Sequence, residues 1–149
     1  ASMLILYPEG KTTGEFTFPS SVRKIGAAAF QNCLLDSIII PASVEELGEQ
    51  VFRGSRLKKI VISDGVYTIP EAAFKECAEL KELVLGKEIS ALFDYCLDGC
   101  NLQKLYLMAT YPPVCYSSAF TGAGDIFNVC TLYVPSGRKP IYFLRINEQ

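Results

Sequence analysis

The stretch SSVRKIGAAAFQNCLLDSIII, residues 20–40, runs directly into PASVEELGEQVFRGSRLKKIVI, residues 41–62, and the second is a variation on the first. Set in register on the phenylalanine, the rest of the chain falls into the same frame. That position recurs as Phe30, Phe52, Phe74, Leu97 and Phe120, at intervals of 22, 22, 23 and 23 residues. Immediately before each stands a small or modest residue: Ala29, Val51, Ala73, Cys96 and Ala119. Three positions after each come Cys33, Ser55, Cys77, Cys100 and Ala123. An apolar pair precedes each unit (Val22 with Ile25, Val44 with Leu47, Val66 with Ile69, Ile89 with Leu92), and an alternating run follows it: LLDSIII, RLKKIVI, ELKELVL, NLQKLYL. A fixed period in this range is the signature of a solenoid of stacked coils.

Each column has a physical reading. The alternating run predicts a strand with one face inward, which places Leu35, Ile38, Ile40, Leu57, Ile60 and Ile62 in the core. Pro19, Pro41 and Pro135 suit strand ends, because proline fixes φ and cannot donate to a ladder. The Val-x-x-Ile segment predicts a second short extended piece returning along the opposite side. The Ala-Phe-x-x-Cys segment predicts one helical or 3₁₀ turn, with Phe filling the interior, alanines allowing close backbone approach and Cys serving as a small plug under the next coil. The expected fold is a β-rich solenoid with short helical or 3₁₀ turns, in about five repeats of 22–23 residues.

Composition narrows the function classes. At 149 residues the chain has the size of one domain, and with 50% hydrophobic and 20% charged residues it can build a core. The net charge is −2 and no basic run occurs, so the positive footprint that nucleic acids require is missing. No apolar run approaches the roughly 20 residues that cross a bilayer, and ASMLILYPEG lacks the charged and apolar regions of a signal peptide. Histidine is absent, which removes the commonest general base near neutral pH, the commonest metal ligand, and any Ser-His-Asp or Cys-His machinery. No cofactor and no metal are expected.

The repeated unit closely resembles the BspA-type leucine-rich repeat, whose pattern reads roughly Ile-Pro-x-x-Val-x-x-Ile-Gly-x-x-Ala-Phe-x-x-Cys-x-x-Leu-x-x-Ile-x-Ile. LYPEGKTTGEFTFP, Leu6 to Pro19, is similar to that family's first coil, and PPVCYSSAF, Pro112 to Phe120, and LYVPSG, Leu132 to Gly137, to its closing segment. The resemblance spans about residues 5–137. It implies a right-handed parallel solenoid and a secreted or surface-attached protein of the kind found in host-associated bacteria and some protozoa. It also implies a role as an adhesin or protein-binding module, in some members toward host matrix glycoproteins. Departures from the pattern are Pro70 and Phe93 in the glycine column and Leu97 in the phenylalanine column. After LYVPSG the family continues into an amphipathic stretch with Tyr and Trp; here the chain reads RKPIYFLRINEQ, without Trp, and Ile141, Tyr142, Phe143 and Leu144 are the residues that can cover the last coil. The organisation expected is a single domain over residues 1–149, with an opening coil at 5–19, repeats at 20–111, and a closing coil and cap at 112–149.

The six cysteines have two readings. Cys33, Cys77 and Cys100 share a column with Ser55 and Ala123, and Cys96 sits in the alanine column, so these four are expected as buried free thiols chosen for volume. Cys115 and Cys130 lie outside those columns, and a single disulfide between them stays open. No CxxC occurs, and nothing near any cysteine would activate it as a nucleophile.

Function is then left to outward positions. On the strand ladder one outward column is Thr17, Ile39, Val61, Val84, Tyr106 and Tyr133; its neighbour is Glu15, Ser37, Lys59, Glu82, Lys104 and Thr131. Ile39, Val61, Val84, Tyr106 and Tyr133, with Lys59 and Lys104, are the candidate protein-binding residues, since tyrosine offers large rigid area with a polar tip. The same stripe can be plain sheet stabilisation, because Ile, Val and Tyr pair well across strands, or a surface covered by a neighbouring molecule. The charge pairs Arg23-Lys24, Glu45-Glu46 and Lys58-Lys59 read as solvated surface. Asp36, Asp64, Glu71, Asp94, Asp98 and Asp125 share no column and no cleft, so an enzyme is not expected, and TGAGD, Thr121 to Asp125, reads as a loop of the last coil rather than a phosphate loop. The expected partner is a protein or glycoprotein ligand, host matrix proteins among them. Nucleic acid and membrane insertion are not expected; a monomer or weak oligomer is expected, and the resemblance implies a location outside the cell or at its surface. The alternative is a structural spacer or self-assembly unit of a larger surface protein.

Overall fold

The computed structural model describes residues 2–4, 6–7, 16–124 and 126–139. Among them are eleven short strands: β1 (Ser2–Leu4), β2 (Val22–Ile25), β3 (Ser37–Ile40), β4 (Glu46–Leu47), β5 (Lys59–Ile62), β6 (Thr68–Ile69), β7 (Glu82–Leu85), β8 (Ala91–Leu92), β9 (Lys104–Leu107), β10 (Val114–Cys115) and β11 (Thr131–Tyr133). One four-residue helix, α1 (Ile126–Val129), lies in the closing coil. No described helix is long and apolar enough to cross a membrane.

Every pairing is parallel, as it must be when successive coils run the same way. The alternating runs form one five-stranded sheet, β11-β9-β7-β5-β3. The Val-x-x-Ile segments form the opposite wall as two three-stranded ladders, β1-β2-β4 and β10-β8-β6. Between the walls, Leu35, Ile38, Ile40, Leu57, Ile60 and Ile62 are buried, as their alternation predicts.

The Phe column is the spine of the core. Phe30, Phe52 and Phe74 are fully buried, and their rings stack at 5.6 and 5.7 Å. Toward the N-terminus the stack continues into an aromatic cluster. Tyr7 stacks on Phe30 at 5.2 Å, and Phe16 meets both edge-on. Leu97 ends the ring stack while keeping the column buried.

The Ala-Phe-x-x-Cys segments depart in detail from a single helical turn. The N–H groups of Ala29, Gln31 and Cys33 donate to carbonyls three residues back, on Gly26, Ala28 and Phe30. Those of Ala28, Phe30 and Asn32 donate instead to Glu49, Val51 and Arg53 of the next coil. Alternate amides therefore close local turns and stitch coils together. Left-handed residues on both sides of the Phe make this alternation work: Ala28, Gln50, Ala72 and Tyr95 on one side, and Asn32, Gly54, Glu76, Gly99 and Gly122 on the other. The non-glycine members carry a conformational cost, which the inter-coil hydrogen bonds offset.

Cysteine in the small-residue column does more than fill volume. The Cys77 Sγ–H donates to the Phe52 carbonyl and the Cys100 Sγ–H to the Phe74 carbonyl, each at 3.0 Å. Ser55, a buried polar residue of this column, lies 3.4 Å from the Cys77 sulfur. Each thiol thus gives a second partner to a core carbonyl one coil back, which a volume argument alone does not anticipate.

Candidate functional site

The five-stranded sheet has an inner and an outer face because strand side chains alternate. Register along it is unbroken from coil to coil. Ile39, Val61, Val84, Tyr106 and Tyr133 are successive Cα partners, and so are Ser37, Lys59, Glu82, Lys104 and Thr131. The structure thus brings all seven sequence-predicted residues onto one outward face. Thr17 is exposed but belongs to no strand, and Glu15 lies outside the described residues.

The apolar column is not uniform. Ile39, at its N-terminal edge, is 61% exposed and Tyr133, at the other edge, 40%, while Val61, Val84 and Tyr106 between them are half-buried. The Tyr106 and Tyr133 rings stack on each other at 4.3 Å and 11° between planes. With strands about 4.8 Å apart, the column extends over about 19 Å.

Charge beside the stripe is organised in columns. Lys58 reaches Asp36 at 2.7 Å and Lys59 reaches Glu82 at 2.8 Å. The same rule holds around the coil: Arg23–Glu45, Lys24–Glu46, Arg56–Glu79, Lys75–Asp98 and Lys87–Asp64 each join one column in adjacent coils, and Arg53 reaches Glu76 in the neighbouring column of the next coil. The sequence reading as isolated surface charges missed this ladder. The signal that finds it is opposite charge at one repeat's separation. The Lys58 hydrogen bond holds the Asp36 carboxyl below its ordinary pKa, and the Asp36 hydrogen bond raises Lys58 in return. These groups are exposed to solvent, so each pair contributes little to stability.

Among the scattered acids, Asp36, Asp64 and Asp98 face lysines, and an Asp94 Oδ1 accepts the Ser118 N–H at 2.9 Å. Asp125 lies outside the described residues. Burial disfavours the thiolate of the core cysteines. Burial pushes Cys77 up to about 11 and Cys96 up to about 12, and it raises Cys100 as well. Cys115 and Cys130 are half-buried, and no disulfide joins them in this structure.

The opposite wall has its own profile. In the first coils its outward residues are the paired Lys24 and Glu46 beside Gly26 and Gly48, where a Cβ at Gly48 would collide with the backbone of Gly26 and Ala27. In the later coils Phe93 and Tyr116 occupy that glycine column and stack at 4.5 Å.

A family model described as BspA type leucine rich repeat region matches residues 9–125 in six copies. The fold is similar to the crystal structure of a leucine rich cell surface protein from Faecalibacterium prausnitzii A2-165, with TM-score 0.77 and 26% identity, over 92% of this chain and 36% of that one. It is also similar to a leucine-rich repeat protein from Bacteroides ovatus ATCC 8483, with TM-score 0.55 and 27% identity, over 88% of this chain and 30% of that one. A leucine-rich repeat protein from Eubacterium ventriosum ATCC 27560 shares the fold at TM-score 0.51 and 22% identity, over 80% of this chain and 46% of that one. The chain therefore spans less than half the length of each. Comparison with curated proteins yields no match.

Proposed function

The chain belongs to the BspA-type leucine-rich repeat family, and from that premise we propose that it is a non-catalytic protein-binding module of a secreted or cell-surface protein, binding through the outer face of its five-stranded sheet. It resembles bacterial cell-surface leucine-rich repeat proteins. The observation that carries the binding role is the stripe Ile39, Val61, Val84, Tyr106 and Tyr133, held in register on a rigid ladder yet left in contact with solvent. A rigid wall presents such side chains with little entropy left to lose on binding. The ligand is a protein or glycoprotein, with host matrix proteins the first to try. The non-catalytic reading draws on the absence of histidine, on acids engaged by lysines, and on thiols held protonated by burial.

The test is binding to a panel of matrix proteins, fibronectin and fibrinogen included, by wild type and by the triple variant Ile39→Glu, Val84→Glu, Tyr106→Glu, after both are seen to melt alike. Binding lost in the folded variant is the expected result. Equal binding by both places the site elsewhere. A second reading, a spacer or self-assembly unit of a larger surface protein, is favoured by the short span relative to the similar structures, 36% and 30% of their lengths. Light scattering separates the two: a monomer at all concentrations supports the binding module, and an oligomer that the triple variant dissolves supports assembly.

A further inference from the structure

The outer face of the five-stranded sheet carries an uneven charge. On the two columns that precede the apolar stripe in each coil, two and three residues before it, stand Lys58, Lys59, Lys81 and Lys104 against Asp36 and Glu82. Both carboxylates are committed, Asp36 to Lys58 and Glu82 to Lys59. Glu82 is the Cα partner of Lys59 on one side and of Lys104 on the other, and by pairing with Lys59 it leaves Lys104 without an ion pair among the described residues. Among the described residues the Lys81 ammonium donates a 3.5 Å hydrogen bond to the Asn101 carbonyl and forms no ion pair. Both lysines are exposed. Two positive charges without an ion pair among the described residues thus precede the stripe, Lys104 two residues before Tyr106 and Lys81 three before Val84, on a chain whose net charge is −2.

Resting on the binding-face reading above, we infer that this face takes an extended polypeptide segment carrying carboxylates next to apolar or aromatic side chains. The apolar side chains lie along the stripe and the carboxylates pair with Lys81 and Lys104. Charge complementarity of this kind raises the association rate and rejects basic partners. The apolar stripe favours a polypeptide over a sulfated glycan, which has carboxylates and sulfates but no apolar side chains to set against Ile39 or Val84. A segment of about six extended residues spans the stripe.

The experiment uses the whole chain and three synthetic peptide sets of equal length, alternating Leu or Tyr with Asp, with Ser or with Lys, and heparin as a polyanion control. Fluorescence anisotropy reads binding by wild type, by Lys81→Glu/Lys104→Glu, and by the stripe triple variant. The expected result is preference for the Asp set, at least about tenfold weaker in the charge-reversed protein and at high salt, and lost in the stripe variant. Equal binding of the Asp and Ser sets, or Asp-set binding untouched by charge reversal, overturns the charge selection. Heparin bound through the lysines with the stripe variant unaffected assigns them to a polyanionic glycan and overturns the polypeptide. Failure of all peptide sets, while a matrix protein is still lost on the stripe variant, overturns the acidic segment and leaves the face. If charge reversal weakens the Asp set but the stripe variant does not, the face reading itself fails.

Discussion

Two columns of side chains run the length of this solenoid with the same period, one inside and one outside. The inner column, Phe30, Phe52 and Phe74, is fully buried and stacks ring on ring. The outer column, from Ile39 to Tyr133, holds an equally exact register but changes character along its length, from aliphatic to aromatic. Period alone therefore does not mark function in a repeat protein, because every position of a coil forms a column. Burial separates the two. A buried column must keep shape to stack, whereas an exposed one can drift, and what it drifts toward is available to a partner.

The sharpest way to break this comparison is to truncate one member of each column. Phe74→Ala removes a fully buried ring from the middle of the spine and should cost about 3–5 kcal/mol, close to the whole stability of a small domain. Thermal melting should find it largely unfolded, and a melting temperature within a few degrees of wild type would disprove its place in the spine. The stripe variant should melt near wild type.

Alkaline titration comes next. Cys77 rises from 9.0 to about 11 and Cys96 to about 12 because burial disfavours the thiolate. In the unfolded chain these thiols ionise near pH 9, so the unfolded state loses protons that the folded state keeps. Stability is full below about pH 9 and declines from there until the folded thiols ionise, by roughly 3 kcal/mol for Cys77. Denaturant midpoints against pH should fall above pH 9, and Cys77→Ser should flatten the curve. A curve flat to pH 11 in wild type would mean that the thiols are not buried as described.

Smaller still is Cys100→Ala, which leaves the Phe74 carbonyl without its thiol donor and should cost about 1 kcal/mol. Urea midpoints resolve that difference, and no change would reduce the column to volume. Least of all, Lys58→Ala breaks the Asp36 pair and should leave the urea midpoint nearly unchanged, since exposed ion pairs are screened and entropically expensive. A larger loss would make the surface charge ladder a structural element comparable with the spine.

Much of the architecture was legible because a solenoid writes its packing into its period. The spine, the two strand walls and the outward stripe all follow from apolar positions recurring every 22 or 23 residues. The turn was less legible. Its alternating hydrogen bonds depend on left-handed residues, and Ala28, Gln50, Ala72 and Tyr95 do not announce that conformation as glycine does. The thiol–carbonyl bonds were hidden for a similar reason, since Cys, Ser and Ala look equivalent by volume and differ only once a carbonyl is in reach.

The sequence by itself determined which residues share a column and which columns face inward, since apolar recurrence is a one-dimensional property. Only the tertiary structure decided which of two equivalent neighbours a side chain engages. Glu82 stands between Lys59 and Lys104 in the same column, and a carboxylate drawn to one cannot also neutralise the other. Its choice of Lys59 at 2.8 Å leaves Lys104 open to solvent, and that asymmetry arises from side-chain packing in three dimensions, which no repeat pattern encodes.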